Sequence, residues 1–443
     1  MSKKKIPSVS AIQFLVHSTQ ILKNPLPFHH NNFETKGDTF RLKLGFGKSV
    51  IFSRDPGLAQ YALQKNHRNF KKSPIQTRDL VKYVGHGLLT SEGELWQKQR
   101  KLIQPAFHKK QLVNLLGSIQ DAIKTELANI ETGQPKDIFP VFNNLAFQTV
   151  VKSLFSSAVD QQEINKLQHI TEAAQKMLVK ELRQPYLGWW FTLSGQIRKH
   201  MLEADDARKI LQNLVDQRRK SGKRHDDLLD MLLDARYEDG NAMTDEQLVD
   251  EILILFTAGH ETTSNALTFT CELLARNPKI QEKLYAEIVE AKDNSESLME
   301  LIKNCSFTKN VIEESLRLYP PAYFIDRVNI EEDEFGGMVF PKNSSLLFSL
   351  LEIHTNPNNW EDAQEFKPER FSNVSASHFS GQYFPFGAGP RMCIGNNFAM
   401  YEMILAIAEI IGTYKISEKT TEIEITPLIT LKPKNAVLEF NFR

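Results

Sequence analysis

Only three cysteines occur in the 443 residues, Cys271, Cys305 and Cys393, scattered and odd in number. That excludes a disulfide framework and points to a reducing compartment. Charge of one sign is also missing: Lys plus Arg and Asp plus Glu each total 54. Nothing in that balance favours nucleic acid or an anionic membrane as the main partner. Long apolar runs are lacking as well. Residues 11–16, with Ile21 and Leu22, form a short patch interrupted by His17, Ser18, Thr19 and Gln20. This falls short of the ~20 apolar residues that span a bilayer, and no signal-peptide core or cleavage site accompanies it. The expectation is a soluble, cytoplasmic chain without a membrane anchor. Repeats and low-complexity tracts are absent.

Apolar segments continue throughout a chain longer than most single cores. We expect one large domain, mainly α with a smaller β portion (α+β), over residues 39–443, preceded by an N-terminal segment, 1–38. Residues 39–45 and 48–53 alternate around Gly45-Phe46-Gly47 and predict a β-hairpin. Residues 428–431 and 436–442, flanking Lys432-Pro433-Lys434-Asn435, predict a second. The basic run 218–224 reads as a solvated connection between helices. The longest helix is expected from Thr244, where Thr-Asp-Glu-Gln has capping-box form, to just before Pro278.

Residues 386–395, Phe-Gly-Ala-Gly-Pro-Arg-Met-Cys-Ile-Gly, carry the chemistry. Gly387, Gly389 and Gly395 permit close backbone approach or positive φ, and Pro390 stiffens the loop. Cys393 precedes an apolar helical stretch, with Phe386 and Arg391 nearby. A thiol so placed is expected as thiolate, the metal-binding form. One thiolate cannot build a zinc site, which needs about four ligands, but it can be the single protein ligand of heme iron.

The buried middle of the long helix contains Ala258-Gly259-His260-Glu261-Thr262-Thr263. Glycine, an acid and β-branched hydroxyl residues are costly there, so function is the expected reason. Gly259 is expected to make room for a ligand. Thr262 can exchange hydrogen bonds with dioxygen or water, and Glu261 can relay protons. A zinc-protease His-Glu-x-x-His fails because residue 264 is Ser264. The bland alternative is that Thr262 bonds back to a carbonyl and Glu261 pairs with a neighbour.

Phe-x-x-Gly-x-Arg-x-Cys-x-Gly closely resembles the heme-binding loop of the cytochrome P-450 family, and Gly259 to Thr262 resembles that family's Gly-x-Asp/Glu-Thr segment. The resemblance extends from about residue 39 to the end. It implies heme b (iron protoporphyrin IX), with Cys393 as iron ligand and Phe386 and Gly395 in the cofactor loop. Glu261 and Thr262 would deliver protons during dioxygen cleavage. Trp96, Arg100, Arg391 and Arg327 would hold the heme propionates. Glu314-x-x-Arg317 and Arg370 in Pro-Glu-Arg-Phe would form a buried charged network behind the loop. Ala258, Ala322, Tyr323 and Phe324 are candidate pocket residues. His354 falls where the family often has a histidine and receives no chemistry.

The implied activity is a monooxygenase fed by a separate ferredoxin or flavodoxin with its reductase, the chain carrying no fused reductase. The basic groups Lys98, Arg100, Lys101, Lys109 and Lys110 suit an acidic carrier. Fatty-acid-like hydroxylation leads among small-molecule substrates and oxidative O-demethylation follows. A peroxide-driven peroxygenase and a non-catalytic heme gas sensor are the rival readings. The segment 184–196, with Trp189 and Trp190, can be a lid, a substrate platform or core packing.

Overall fold

Alternating side chains either side of Gly45 and Gly47 pair as an antiparallel hairpin, β2 with β3 below, in register Thr39 with Ser53. The computed structural model describes residues 4–45, 47–156, 160–372, 381–419 and 422–443; Phe46, centre of the expected turn, lies outside them. The strands are β1 (Ser8–Val9), β2 (Thr39–Gly45), β3 (Lys48–Ser53), β4 (Phe70–Lys71), β5 (Lys136–Asp137), β6 (Phe324–Asn329), β7 (Asp333–Phe335), β8 (Met338–Phe340), β9 (Ser345–Ser349), β10 (Tyr414–Glu418), β11 (Glu424–Pro427), β12 (Leu431–Lys434) and β13 (Val437–Phe442). One sheet runs β1-β2-β3-β9-β6-β4, another β10-β13-β5, with two small hairpins, β11-β12 and β7-β8.

The C-terminal pairing differs from expectation. Lys432, Pro433 and Lys434 lie in β12 and pair with β11, while β13 pairs with β10. Pro433 sits in a two-stranded ribbon, where an edge tolerates its missing N–H. Each half of the expected hairpin therefore found a partner earlier in the chain.

Helices dominate. Those that position the site are α1 (Ala11–Val16), α2 (Ser18–Lys23), α3 (Leu26–Lys36), α4 (Gly93–Ile103), α5 (Phe139–Phe155), α6 (Gln161–Arg183), α7 (Gly188–Leu193), α8 (Gln196–Ser221), α9 (Asp245–Arg276), α10 (Ser306–Leu318) and α11 (Asn396–Thr413). Thr244 caps α9 by accepting from the Gln247 N–H at 3.2 Å. The box is only half closed, because the Gln247 amide donates to the His86 carbonyl and to Glu251 instead. At 32 residues, α9 is about 48 Å long and crosses the core. Apolar faces of α5, α9, α10 and α11 share the largest buried cluster.

Residues 219–224 of the basic run are exposed and lead out of α8, as expected of a solvated connection, but the first residue differs: Arg218 is buried in the last turns of α8 and donates to Asp227 and Asp230 at 2.7–2.8 Å. A buried guanidinium needs such partners, and the start of the next helix supplies both carboxylates, Asp227 as its N-cap and Asp230 in its first turn.

Candidate active site

The loop 386–395 is seated by its own backbone and by one close approach. The Cys393 N–H donates to the Phe386 carbonyl at 2.9 Å, and Gly387 donates to the Phe384 carbonyl at 2.9 Å. Gly389 has φ +70°, and a Cβ there would stand 2.0 Å from the Leu63 carbonyl oxygen. No other residue fits. Phe386 and Ile394 pack on the main core, and the Ala399 N–H returns to the Gly395 carbonyl at the start of α11.

Cys393 keeps accessible surface although protein crowds its sulfur closely. That burial pushes the thiol up, against the pull of the Gly395 N–H and the Arg100 guanidinium.

Trp96 and Arg100 share a face of α4. Arg100 Nη1 donates to the Met392 carbonyl at 2.9 Å, one residue from the sulfur. The Arg391 guanidinium lies 5.1 Å from the centre of the Trp96 ring, and the Lys72 ammonium lies 6.0 Å from it. Glu92 knits this group together: its carboxylate accepts from Arg391 Nη1 and from the Lys72 N–H, both at 2.7 Å. Lys72 Nζ donates to the Leu88 and Ser91 carbonyls at 2.7 and 2.9 Å. Burial, then the neighbouring Arg391, lowers Lys72 to about 7. Buried Arg327, on β6, falls to about 10, chiefly by desolvation, with Arg391 adding repulsion. Two buried cations, Lys72 and Arg327, repelled by half-buried Arg391, fit a ligand that presents carboxylates here, which is what heme propionates would do. Lys72 and Glu92 were not foreseen; a lysine in Lys71-Lys72-Ser73-Pro74 and an acid at a helix start look like surface residues.

On α9, Leu255, Ala258, Gly259 and Thr262 keep accessible surface along one stripe, while the helix around them is buried. Their spacing, i, i+3, i+4 and i+7, makes one face. Gly259 is explained otherwise than expected. A Cβ there would lie 2.9 Å from Val150 Cγ2, so the glycine lets α5 pack against α9.

Both contacts of the bland alternative occur. Thr262 Oγ1 donates to the Ala258 carbonyl at 2.9 Å, and Glu261 Oε1 accepts from Thr430 Oγ1 at 2.5 Å. The second Glu261 oxygen and His260 Nε2 are buried without a partner. They line a cavity of about 10 Å³, room for one water, shared with Glu172, Lys176 and Lys432. His260 Nδ1 lies 2.8 Å from the Phe256 carbonyl, and burial lowers the imidazole, so the ring is neutral and Nε2 is an acceptor. Thr262 retains its lone pairs toward the accessible stripe.

Ala322 is exposed and Phe324 half-buried, whereas Tyr323 packs with Phe269 and Leu431 and donates its hydroxyl to the Leu428 carbonyl at 2.7 Å. Trp189 and Trp190 lie on the outside of α7, over buried Phe191. Lys101 of the basic group pairs with Glu238. A surface depression of about 630 Å³ along the start of α8 shares no residue with the site.

Behind the loop, Arg317 donates to both Glu314 oxygens at 2.8 Å and to the carbonyls of His354 and Ala363 at 2.8 and 2.7 Å. Arg370 Nε stands 3.4 Å from the same carboxylate. Every strong donor of Arg317 is answered, as burial demands. Burial lowers His354 to about 3, and its Nε2 accepts from the Phe384 N–H at 2.9 Å, which anchors the loop's approach.

The fold and this site together describe a heme-thiolate oxygenase. The cytochrome P450 family profile matches residues 6–440, so the chain belongs to the cytochrome P450 family. The chain is 30% identical over 411 residues to a cyclooctat-9-en-7-ol 5-monooxygenase of Streptomyces melanosporofaciens, covering 92% of this chain and 88% of the relative. It is 28% identical to a pentalenene oxygenase of Streptomyces avermitilis, covering 92% and 90%. The solved heme domain of cytochrome P450DA superposes with a TM-score of 0.87 at 21% identity, over 100% of this chain and 99% of that one. The chain is a cytochrome P450 monooxygenase, a heme-dependent oxidoreductase of a family that uses dioxygen and an electron donor. Among the described residues, no helix is long and apolar enough to cross a membrane.

Proposed function

We propose that this enzyme hydroxylates an unactivated C–H bond of an apolar, fused-ring terpenoid, with Cys393 as the axial ligand of heme b. The observation that carries the reading is the accessible stripe Leu255, Ala258, Gly259 and Thr262, apolar apart from one hydroxyl, on an otherwise buried helix. The small side chain of Ala258 leaves width for a rigid ring system, and the two Streptomyces relatives are named for substrates of that kind. A fatty acid, the leading candidate from sequence, offers the same apolar chemistry but would bring a carboxylate, and no cation lies on the stripe.

Heme, when bound, supplies dioxygen activation and C–H oxidation. Lys72, Arg100, Arg327 and Arg391 would hold its carboxylates. Gly389 lets the loop close against the Leu63 backbone, and the Gly395 N–H and Arg100 would tune the Cys393 sulfur. Thr262 Oγ1, released from the Ala258 carbonyl, would hand a proton toward the stripe. Glu261, whose free oxygen shares the one-water cavity with His260 and Glu172, would replenish it from the solvent side. Electrons would come from a ferredoxin or flavodoxin with its reductase, in the cytoplasm. The acid–alcohol pair Glu261-Thr262 favours this route over a peroxygenase or a gas sensor, neither of which requires it.

The test is a spectral titration of the purified protein against terpene alcohols, terpene hydrocarbons and fatty acids. A fused-ring terpenoid should displace the iron's water ligand at micromolar concentration, and Thr262→Ala should retain that shift while wasting reductant. Saturation by fatty acids alone, or unchanged coupling in Thr262→Ala, refutes the reading.

A further inference from the structure

A buried hydroxyl from far along the chain meets the acid of α9. Thr430 lies in the turn between β11 and β12, 169 positions from Glu261, and donates to its Oε1 at 2.5 Å. Both side chains are buried, as is Asn265, whose Nδ2 donates to Thr430 Oγ1 at 3.0 Å. A hydroxyl carries one proton. With Asn265 donating to the oxygen, that proton is directed at the carboxylate.

The turn itself is fastened. Tyr323 donates its hydroxyl to the Leu428 carbonyl at 2.7 Å, and the Leu431 N–H donates to the Pro321 carbonyl at 2.9 Å. The Arg183 guanidinium donates to the Pro427 carbonyl, and the Leu428 N–H closes on the Thr430 carbonyl at 2.8 Å. Anchors thus reach residues 427–431 from the end of α6, from the approach to β6 and from α9.

Holding one carboxylate oxygen leaves the other to be aimed. Among the described residues, Glu261 Oε2 is buried without a hydrogen-bond partner, and so is His260 Nε2; both residues line the cavity of about 10 Å³. Glu172 and Lys176 of α6 and Lys432 of β12 complete its charged walls. An unpinned carboxylate would be drawn to either lysine. Pinned by Thr430, it keeps Oε2 for the water that the cavity has room to hold.

We propose that Thr430, oriented by Asn265, is a positioning residue for proton supply: it fixes Glu261 with Oε2 turned into the one-water cavity. A proton passing from that water to Oε2 is replaced on the water from solvent, past Glu172 and Lys176. Glu261 hands a proton on toward Thr262 Oγ1, so no charge accumulates in the cavity. Proton transfer through this carboxylate rests on the proposed function; its orientation by Thr430 does not.

Thr430→Val keeps the shape of the side chain and removes its hydroxyl, while Thr430→Ser restores a donor. Crystal structures of the heme-loaded protein should show Oε2 against an ordered water in wild type and Thr430→Ser, and the carboxylate turned out of the cavity in Thr430→Val. Product formed per reductant consumed is then measured with a fused-ring terpene alcohol, or with a fatty acid if only that shifts the heme spectrum. It should fall about tenfold in Thr430→Val, recover in Thr430→Ser and fall in Glu261→Gln, with the substrate-induced shift retained throughout. If Thr430→Val misfolds, Asn265→Ala, which leaves the hydroxyl undirected, decides by the same two readouts. A wild-type Oε2 facing no water, an unturned carboxylate in Thr430→Val, or coupling that Thr430→Ser does not recover overturns the positioning role. So does full coupling in Thr430→Val beside poor coupling in Glu261→Gln. Full coupling in Glu261→Gln refutes the relay itself, and Thr430 then has no proton supply to position.

Discussion

Single residues here answer to their surroundings more than to their type. Lys72 is the clearest case: a lysine beside another lysine, yet buried among arginines and lowered to about 7 by desolvation and Arg391. If it waits for a carboxylate-bearing cofactor, Lys72→Met should leave the fold intact and loosen heme. A charge-assisted hydrogen bond of roughly 1.5–3 kcal/mol implies heme transfer to an acceptor protein about tenfold faster or more. Unchanged transfer kinetics would remove Lys72 from the clamp. Cys393, Arg391, Trp96 and Arg100 were legible in sequence because each stands in a spaced motif. Lys72 and Glu92 were not, because the arginines they gather with lie far along the chain: Glu92 meets Arg391 across 299 positions. Thr262 and Glu261 were recognisable as costly residues in a helix, but only the structure shows one bonded to Ala258 and the other to Thr430.

At the scale of elements, α9 was readable from end to end, since Thr244 and Pro278 punctuate it. What escaped was the reason for its glycine. Contact with α5 predicts that Gly259→Ala overpacks the interface and costs about 1–3 kcal/mol, and that adding Val150→Ala returns most of it. A thermal melt of both variants checks this; no recovery in the double variant would restore a ligand-side role for Gly259. The same helix buries Glu272, whose carboxyl is raised to about 8, chiefly by desolvation and partly offset by Arg276. The folded chain then holds a proton that the unfolded chain releases above about 4.5. Stability should fall with rising pH between about 4.5 and 8, by at most ~1.4 kcal/mol per unit from this group. Glu272→Gln should flatten that slope, and melting midpoints at several pH values would show it. The C-terminal strands were the weakest reading, because pairing between β10 and β13 or between β11 and β12 is a tertiary choice that alternation cannot make.

The whole molecule joins these scales through one geometry. The loop 386–395 carries the sulfur, the cations Lys72, Arg327 and Arg391 gather near it, and an accessible stripe of α9 runs along an otherwise buried helix. Arg317, Glu314 and Arg370 hold the loop's support rigid. The overall α+β class was legible because helical spacing dominates the chain and motifs fall in a fixed order. Substrate was not, since Ala258, Ala322 and Phe324 are ordinary apolar residues in a sequence.

The central claim is that the Cys393 sulfur bonds the heme iron. The reduced carbon-monoxide spectrum of wild type and Cys393→Ser tests it most directly. Wild type should show the red-shifted Soret band characteristic of a thiolate ligand, and the serine variant should lack it while still binding heme or losing it altogether. The same band in Cys393→Ser, or an imidazole-type spectrum in wild type, would contradict the account.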